Sequence, residues 1–323
     1  MTNERRHKAP KEGAPRLEGV VVRQDARGCR VLLSDGTDRW CPVRGRVHLS
    51  GTETTKTPVA VGDRVLVRRD GEGRGALEEV LPRTNVLARP DPHHERRQLI
   101  LAANVDQVVI ASSAADPVFG PGFVDRVLAV AEWSRIDALL VVTKMDLVAT
   151  EPQELAVYRR MGHRVIVTSA TRGDGVEEVR AALLGRVSVI TGHSGVGKSS
   201  LLNAMEPGLG LKVGAVNEVS GRGRQTTTAA VRVALAGGGA LIDTPGLREF
   251  GLFNVPPREL TWLFRDLKEV APRCRFGNCL HKTEPGCAVQ AAVDSGEVAA
   301  WRVDSYLRML ETAPDVKSWE IGR

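Results

Sequence analysis

Two short segments restrict this chain more than anything else in it. Gly192-His193-Ser194-Gly195-Val196-Gly197-Lys198-Ser199 follows the apolar run 187–190 and precedes the helix-like Ser200-Leu201-Leu202-Asn203-Ala204. Its glycines let backbone N–H groups turn inward around a phosphate at a helix N-terminus, so the segment demands a strand–loop–helix unit. The second segment, Thr143-Lys144-Met145-Asp146, ends another apolar run, 138–142. An aspartate there can accept from both N1–H and the 2-amino group of guanine, a donor pair that adenine lacks. The base segment lies about fifty residues upstream of the phosphate segment. That inverts the usual order of such loops, so the strands of the domain must be connected in a circularly permuted sequence.

The companion motifs fit the same site. In the phosphate loop, Lys198 is expected to reach the β- and γ-phosphates, and the Ser199 hydroxyl to ligate Mg²⁺. Asp243-Thr244-Pro245-Gly246 ends the run Leu241-Ile242. There Asp243 can hold Mg²⁺ through water and the Gly246 N–H can bond the γ-phosphate. Between them, Gly221-Arg222-Gly223-Arg224-Gln225-Thr226-Thr227-Thr228 suits a first switch. One threonine there would complete the Mg²⁺ shell. Thr227 is favoured by analogy with paired threonines in related GTPases, with Thr226 and Thr228 as alternatives. Thr168-Ser169-Ala170, after the run 165–167, is placed to give a backbone N–H to guanine O6. The nucleotide set is therefore Thr143, Lys144, Asp146, Ser169, Ala170, the loop Gly192, His193, Ser194, Gly195, Val196, Gly197, Lys198, Ser199 and Ser200, with Asp243 and Gly246.

Around this site the pattern divides the chain into four parts. Residues 1–16 are polar and basic, with Pro10 and Pro15, and read as a disordered arm that either touches RNA or is simply solvated. Residues 17–88 carry short β-rich runs with turns at Asp35-Gly36, Gly62-Asp63 and Asp70-Gly71. About five strands fit a small OB-fold-like β-barrel, used for nucleic acid or as a spacer or adaptor. Trp40 is its one aromatic residue and its arginines face acids, which disfavours stacking of single strands and leaves contact with structured RNA backbone. Residues 89–252 alternate apolar runs with helical patterns, as in an α/β doubly wound domain. Residues 253–323 are helical around a Cys/His cluster. The fold class is thus multi-domain: barrel, permuted α/β P-loop domain, helical zinc-binding domain.

That cluster, Cys274-x4-Cys279-x-His281-x5-Cys287, supplies three thiolates and one imidazole. The set closes a tetrahedron and predicts one structural Zn²⁺. Arg273, Arg275, Asn278 and Lys282 in the same loop could also touch RNA. Cys29 and Cys41 lack such partners and are expected to be buried or free thiols. The formal charge of +6 favours a polyanionic partner. No apolar run approaches the roughly 18 residues of a membrane helix, and the N-terminus leads into no signal-like apolar segment, so a cytoplasmic protein is expected.

With these motifs in this order, residues 17–310 resemble the RsgA (YjeQ, EngC) family of circularly permuted GTPases that depend on the small ribosomal subunit. GHSGVGKS, the segment TTTAA at 226–230, DTPGLREFGL at 243–252 and the metal spacing carry the resemblance. It implies a GTP hydrolase acting late in 30S maturation, stimulated by the subunit, with the 30S particle and its 16S rRNA as partners. DNA and membranes are not among the expected partners, and the protein is expected to be a monomer off the ribosome. Two positions depart from the family. Thr143 stands where the base loop usually has asparagine, which predicts a less rigid phosphate loop. Gln225 stands where a water-positioning histidine is common; it either orients the attacking water or only bonds the switch. The catalytic set is therefore Lys198, Gln225 and Thr227, with slow intrinsic turnover. Two competing readings are a nucleotide-independent RNA-binding module with a vestigial or regulatory nucleotide site, and an ATP-using P-loop enzyme.

Overall fold

A computed structural model describes residues 16–25, 27–43, 48–49, 59–69, 75–91, 94–209, 230–243 and 255–313. The N-terminal strands are β1 (Arg16–Asp25), β2 (Gly28–Leu33), β3 (Asp38–Pro42), β4 (His48–Leu49), β5 (Arg64–Arg69) and β6 (Gly75–Val80). β1 lies between β2 and β5, and β6 pairs with β5 and β4. Val21, Val31, Val65 and Val67 are buried while the residues on either side of each are more exposed, so one face is buried as period-2 geometry requires. Cys29 and Cys41 face each other across β2 and β3, fully buried and unbridged. Burial, then the neighbouring Cys41, pushes the Cys29 thiol up to about 12. Among the described residues the sheet carries the ion pairs Arg23–Asp25, Arg30–Asp38, Arg64–Glu18 and Arg16–Glu78, so these four arginines are met by acids of their own sheet.

A hairpin of β7 (Val86–Asp91) and β8 (His94–Ala103) leads into the α/β region. There follow β9 (Gln107–Ser113), α1 (Pro121–Trp133), β10 (Asp137–Thr143), α2 (Glu154–Arg160), β11 (Arg164–Val167), α3 (Val176–Leu183), β12 (Val187–Thr191), α4 (Lys198–Met205), β13 (Val231–Ala234) and β14 (Ala240–Asp243). Each apolar run noted in the sequence forms a strand, and helical patterns between them form α1, α2 and α3. Strands β9, β10, β11, β12 and β14 are parallel, in the order β11-β10-β9-β12-β14. Every residue of β9 is buried, as expected of a central strand with helices on both faces.

The chain steps outward from β9 to β10 and β11, then returns to the other side of β9 for β12. This reversal is a topological switch point, where ligands bind beyond the carboxyl ends of the strands. The antiparallel β13 was not visible in the sequence. It pairs with β14 and, through Arg23 opposite Val231, with β1, so the N-terminal strands and the α/β sheet form one continuous sheet.

The last region comprises α5 (Pro257–Leu260), α6 (Arg265–Val270), α7 (Ala288–Asp294) and α8 (Ala300–Thr312). Its core of Leu260, Phe264, Leu267, Val289, Val303, Tyr306 and Met309 reaches Ala129 of α1. Beside that contact Arg302 is buried between two carboxylates. It bonds Asp125 of α1, and its Nε and NH2 reach Asp266 of α6 at 2.8 and 2.9 Å. Asp125 also accepts from the Tyr158 hydroxyl at 2.7 Å. Truncating Arg302 would strand two carboxylates, one fully buried, a loss of about 3–5 kcal/mol for such pairs. No described helix is long and apolar enough to cross a membrane.

Candidate nucleotide site and metal centre

The carboxyl ends of β9, β10, β11, β12 and β14 bring most of the predicted residues to one edge. The phosphate loop runs from β12 into α4 at the switch point. Gly192 is required by proximity: a Cβ there would stand 2.2 Å from the Ala111 carbonyl oxygen of β9. Gly197 opens α4 at φ 88°, a left-handed conformation that glycine adopts without a Cβ clash. His193 and Ser194 are exposed on the loop, with the His193 ring 4.3 Å from that of Phe123 in α1. Val196 is buried, and Ser200 lies half-buried in the first turn of α4.

Lys198 Nζ donates to the carbonyls of Gly192 and His193, each at 2.7 Å, which holds the ammonium at the loop mouth. The Ser199 hydroxyl is buried and has no hydrogen-bond partner among the described residues. A buried, unpartnered oxygen beside a phosphate cradle is the donor a Mg²⁺ ion would take. Asp243 supplies the adjacent carboxylate, paired in register with Ile190 one residue before the end of β12. Burial pushes its carboxyl up to about 6 against the pull of the Lys198 ammonium. Gln225, Thr227 and Gly246 lie outside the described residues.

The base loop starts at the end of β10. Thr143 is 3% exposed, and its hydroxyl reaches the Val196 carbonyl of the phosphate loop and the Ser112 carbonyl at 3.2 Å. Threonine thus braces the phosphate loop through one hydroxyl. Lys144 sits in the left-handed region at φ 57° and donates to the Asp116 carbonyl, carrying its stem across Gly197. The Asp146 carboxylate accepts from the Ser169 hydroxyl at 2.7 Å. That bond holds its carboxyl below the usual carboxylate range. Met145 N–H to Thr168 O at 3.1 Å ties the base loop to the Ser-Ala loop. Ser169 N–H is used by Asp174 O at 3.0 Å.

Two contributors were missed in the sequence. Arg172 donates to the Asp146 backbone carbonyl at 3.3 Å, and its own N–H bonds Ser169 Oγ. Asp116 receives Lys144. Neither belongs to a motif, and both act through contacts that only folding creates.

An ionised Asp146 matches the two donors of guanine and is mismatched to adenine. The change Asp146→Asn is expected to weaken GTP and GDP binding by at least about 100-fold, because one guanine donor then faces an amide N–H₂. Xanthine carries a carbonyl at the 2-position, so xanthosine nucleotides are expected to gain. Competition binding with both nucleotides checks this; unchanged preference for guanine would remove Asp146 from the site.

At the other end of the chain, Cys274, Cys279, His281 and Cys287 present four ligand atoms within 4.8 Å of one another. His281 Nδ1 lies 3.6 Å from Cys274 Sγ and 3.5 Å from Cys287 Sγ. A tetrahedron with Zn–S of about 2.3 Å and Zn–N of about 2.1 Å has edges of about 3.6 Å, so the donors fit zinc. Burial keeps His281 low in pKa, hence neutral and able to ligate. Burial first, with Cys287 and Cys274 adding, pushes the Cys279 thiol up to about 12. A divalent cation would reverse that balance. Ala288 N–H donates to Cys274 Sγ at 3.3 Å, and Gln290 Nε2 fixes the His281 carbonyl at 2.8 Å.

A parallel sheet with its phosphate loop at the switch point and its base loop on a strand earlier in the chain defines a circularly permuted P-loop GTPase fold. Known proteins agree. Residues 80–253 match the family model of the RsgA GTPase. The chain is 37% identical over 310 residues to a protein of Actinobacillus pleuropneumoniae (serotype 5b, strain L20) named small ribosomal subunit biogenesis GTPase RsgA, covering 93% of this chain and 87% of that one. The crystal structure of YjeQ from Thermotoga maritima superposes with a TM-score of 0.69 at 31% identity, over 92% of this chain and 98% of that one. YloQ, described as a circularly permuted GTPase, gives 0.65 at 28% identity, over 94% and 97%. The chain belongs to the RsgA GTPase family.

Proposed function

We propose that this protein is a GTPase that binds the small (30S) ribosomal subunit late in its maturation, hydrolyses GTP to GDP and phosphate under stimulation by the subunit, and then dissociates. The observation that carries the reading is the convergence of Asp146–Ser169 and Lys198–Ser199 on one sheet edge in a member of this family. Asp146 reads guanine, Lys144 packs on the base plane, and the Ala170 N–H takes O6. Lys198 moves from the Gly192 and His193 carbonyls to the β- and γ-phosphates. Ser199, Thr227 and Asp243 would hold Mg²⁺, which would supply positive charge against the phosphates. Gln225 orients the attacking water, and Gly246 senses the γ-phosphate.

The chain divides, in this reading, into an arm (1–16), an OB-type barrel (17–88), the permuted GTPase domain (89–252) and a zinc-knuckle domain (253–323). One Zn²⁺ on Cys274, Cys279, His281 and Cys287 shapes the last of these. Barrel and knuckle grip 16S rRNA, the protein is cytoplasmic, and it is a monomer off the ribosome.

Co-sedimentation with purified small subunits tests the binding half. Stable association with a non-hydrolysable GTP analogue and release with GDP are expected. Affinity should fall steeply with salt, with a log–log slope of about −0.7 to −0.9 per phosphate contacted. Equal binding in both nucleotide states would contradict the cycle.

A further inference from the structure

Between the first two zinc ligands the chain presents Arg275, Phe276, Gly277 and Asn278, all exposed. Phe276 is 42% exposed, and the Arg275 guanidinium carbon lies 5.4 Å from its ring centroid. The backbone is pinned on both sides of the pair. Arg275 N–H bonds Gly286 O at 3.1 Å, and Cys279 N–H bonds Phe276 O at 3.2 Å. Gly286 must lack a side chain here: at φ +76°, a Cβ would press on the Arg275 stem at 3.0 Å. The ring is therefore fixed outward by the metal-ligating turn and is not part of the core that Tyr306 and Phe264 build behind it.

The surroundings select the occupant. Lys282 is exposed nearby in the chain, and the Glu284 carboxylate that could oppose it is occupied by the N–H groups of Leu280, Lys282 and Thr283. Within 273–287 Phe276 is the one large exposed apolar side chain among the described residues. A protein hot spot would sit inside a wider apolar patch. A single ring with the Arg275 cation over it, and Lys282 exposed in the same loop, suits a flat base attached to phosphates. Among the described residues the N-terminal sheet offers no equivalent: half-buried Trp40 packs over Gly28, and Arg23 and Arg30 pair with acids.

We propose that Arg275 and Phe276 form a stacking platform for an unpaired RNA base, held at fixed orientation by the Cys274–Cys287 metal turn. The proposal rests on the small-subunit reading and names the chemistry of one of its contacts.

Full-length, zinc-loaded protein tests it, with dissociation constants measured for small subunits and for extracted 16S rRNA at one salt concentration. Phe276→Leu, which keeps an apolar side chain without a π-face, is expected to weaken both by about tenfold. Phe276→Trp is expected to restore them. Unstimulated GTP hydrolysis and zinc content should not change. Arg275→Gln leaves the ring in place and should weaken binding severalfold with a shallower salt slope, which decides the matter if Phe276→Leu disturbs the metal turn. Leucine binding both targets like wild type would overturn the platform. Loss for subunits alone, with rRNA binding intact, would instead assign the ring to a ribosomal protein and also overturn it. Wild-type protein that fails to bind subunits would remove the functional reading, and the rRNA arm alone would then judge the platform.

Discussion

Lys198→Ala is expected to lower kcat for GTP hydrolysis by about 10²–10³-fold, the scale on which one pre-organised charge-stabilising donor acts. Two losses combine. Negative charge develops on the phosphate oxygens during transfer, and the ammonium is the side-chain cation the described phosphate loop supplies. The same ammonium caps the carbonyls of Gly192 and His193, so its removal also slackens the loop. Lys198→Arg should not rescue, because a planar fork does not replace a compact point charge within this turn. Single-turnover hydrolysis checks the effect, with the melting temperature as control for folding. Hydrolysis within a few-fold of wild type would deny the loop its catalytic role.

The second large effect concerns zinc. Structural zinc contributes about 10–16 kcal/mol of apparent binding free energy in small domains, which becomes folding free energy. Here Cys287 stands at the N-terminus of α7 and belongs to the apolar core that includes Tyr306 and Val303. Cys287→Ser or chelation is expected to release one equivalent of zinc and unfold the segment 271–298 at room temperature. Guanine-nucleotide binding should survive, since its residues lie on the sheet edge. Stimulation by the subunit should be lost. Cys29→Ser, at a buried thiol outside the cluster, serves as comparison and should leave the zinc content at one. Zinc content by atomic absorption and nucleotide binding by fluorescence separate the two effects. Unfolding of the nucleotide site along with the knuckle would show that the regions are one cooperative unit.

That last outcome has a structural route, and the sequence hid it. In the permuted order Gly246 lies just ahead of the C-terminal segment, so one connection between them is the chain itself. The described structure shows a second connection, through α1. Phe123 on α1 meets His193 of the phosphate loop, while Asp125 two residues on grips Arg302 of α8. Arg302 belongs to no motif in the sequence. Its spacing of four residues before Tyr306 and seven before Met309 put it on the buried face, but only the fold shows the carboxylates that make burial tolerable.

Local chemistry decided what was legible. The phosphate loop, the base loop and the Cys/His cluster each need their residues close in sequence, so composition and spacing announced them. The central parallel strands were equally plain, because a strand covered on both faces is apolar throughout. Long-range pairing was not. Nothing near Thr143 shows that its hydroxyl meets Val196, nor near Val231 that β13 meets Arg23 of β1. Arg172 and Asp116 matter only because folding lays them against Asp146 and Lys144.

The central claim is a GTPase whose turnover is controlled by the small ribosomal subunit. Its most direct test is the steady-state rate of GTP hydrolysis by the purified, zinc-loaded protein with and without stoichiometric small subunits, repeated at raised salt. A slow rate alone, marked acceleration with subunits and loss of that acceleration at high salt are expected. Equal rates with and without subunits would contradict it.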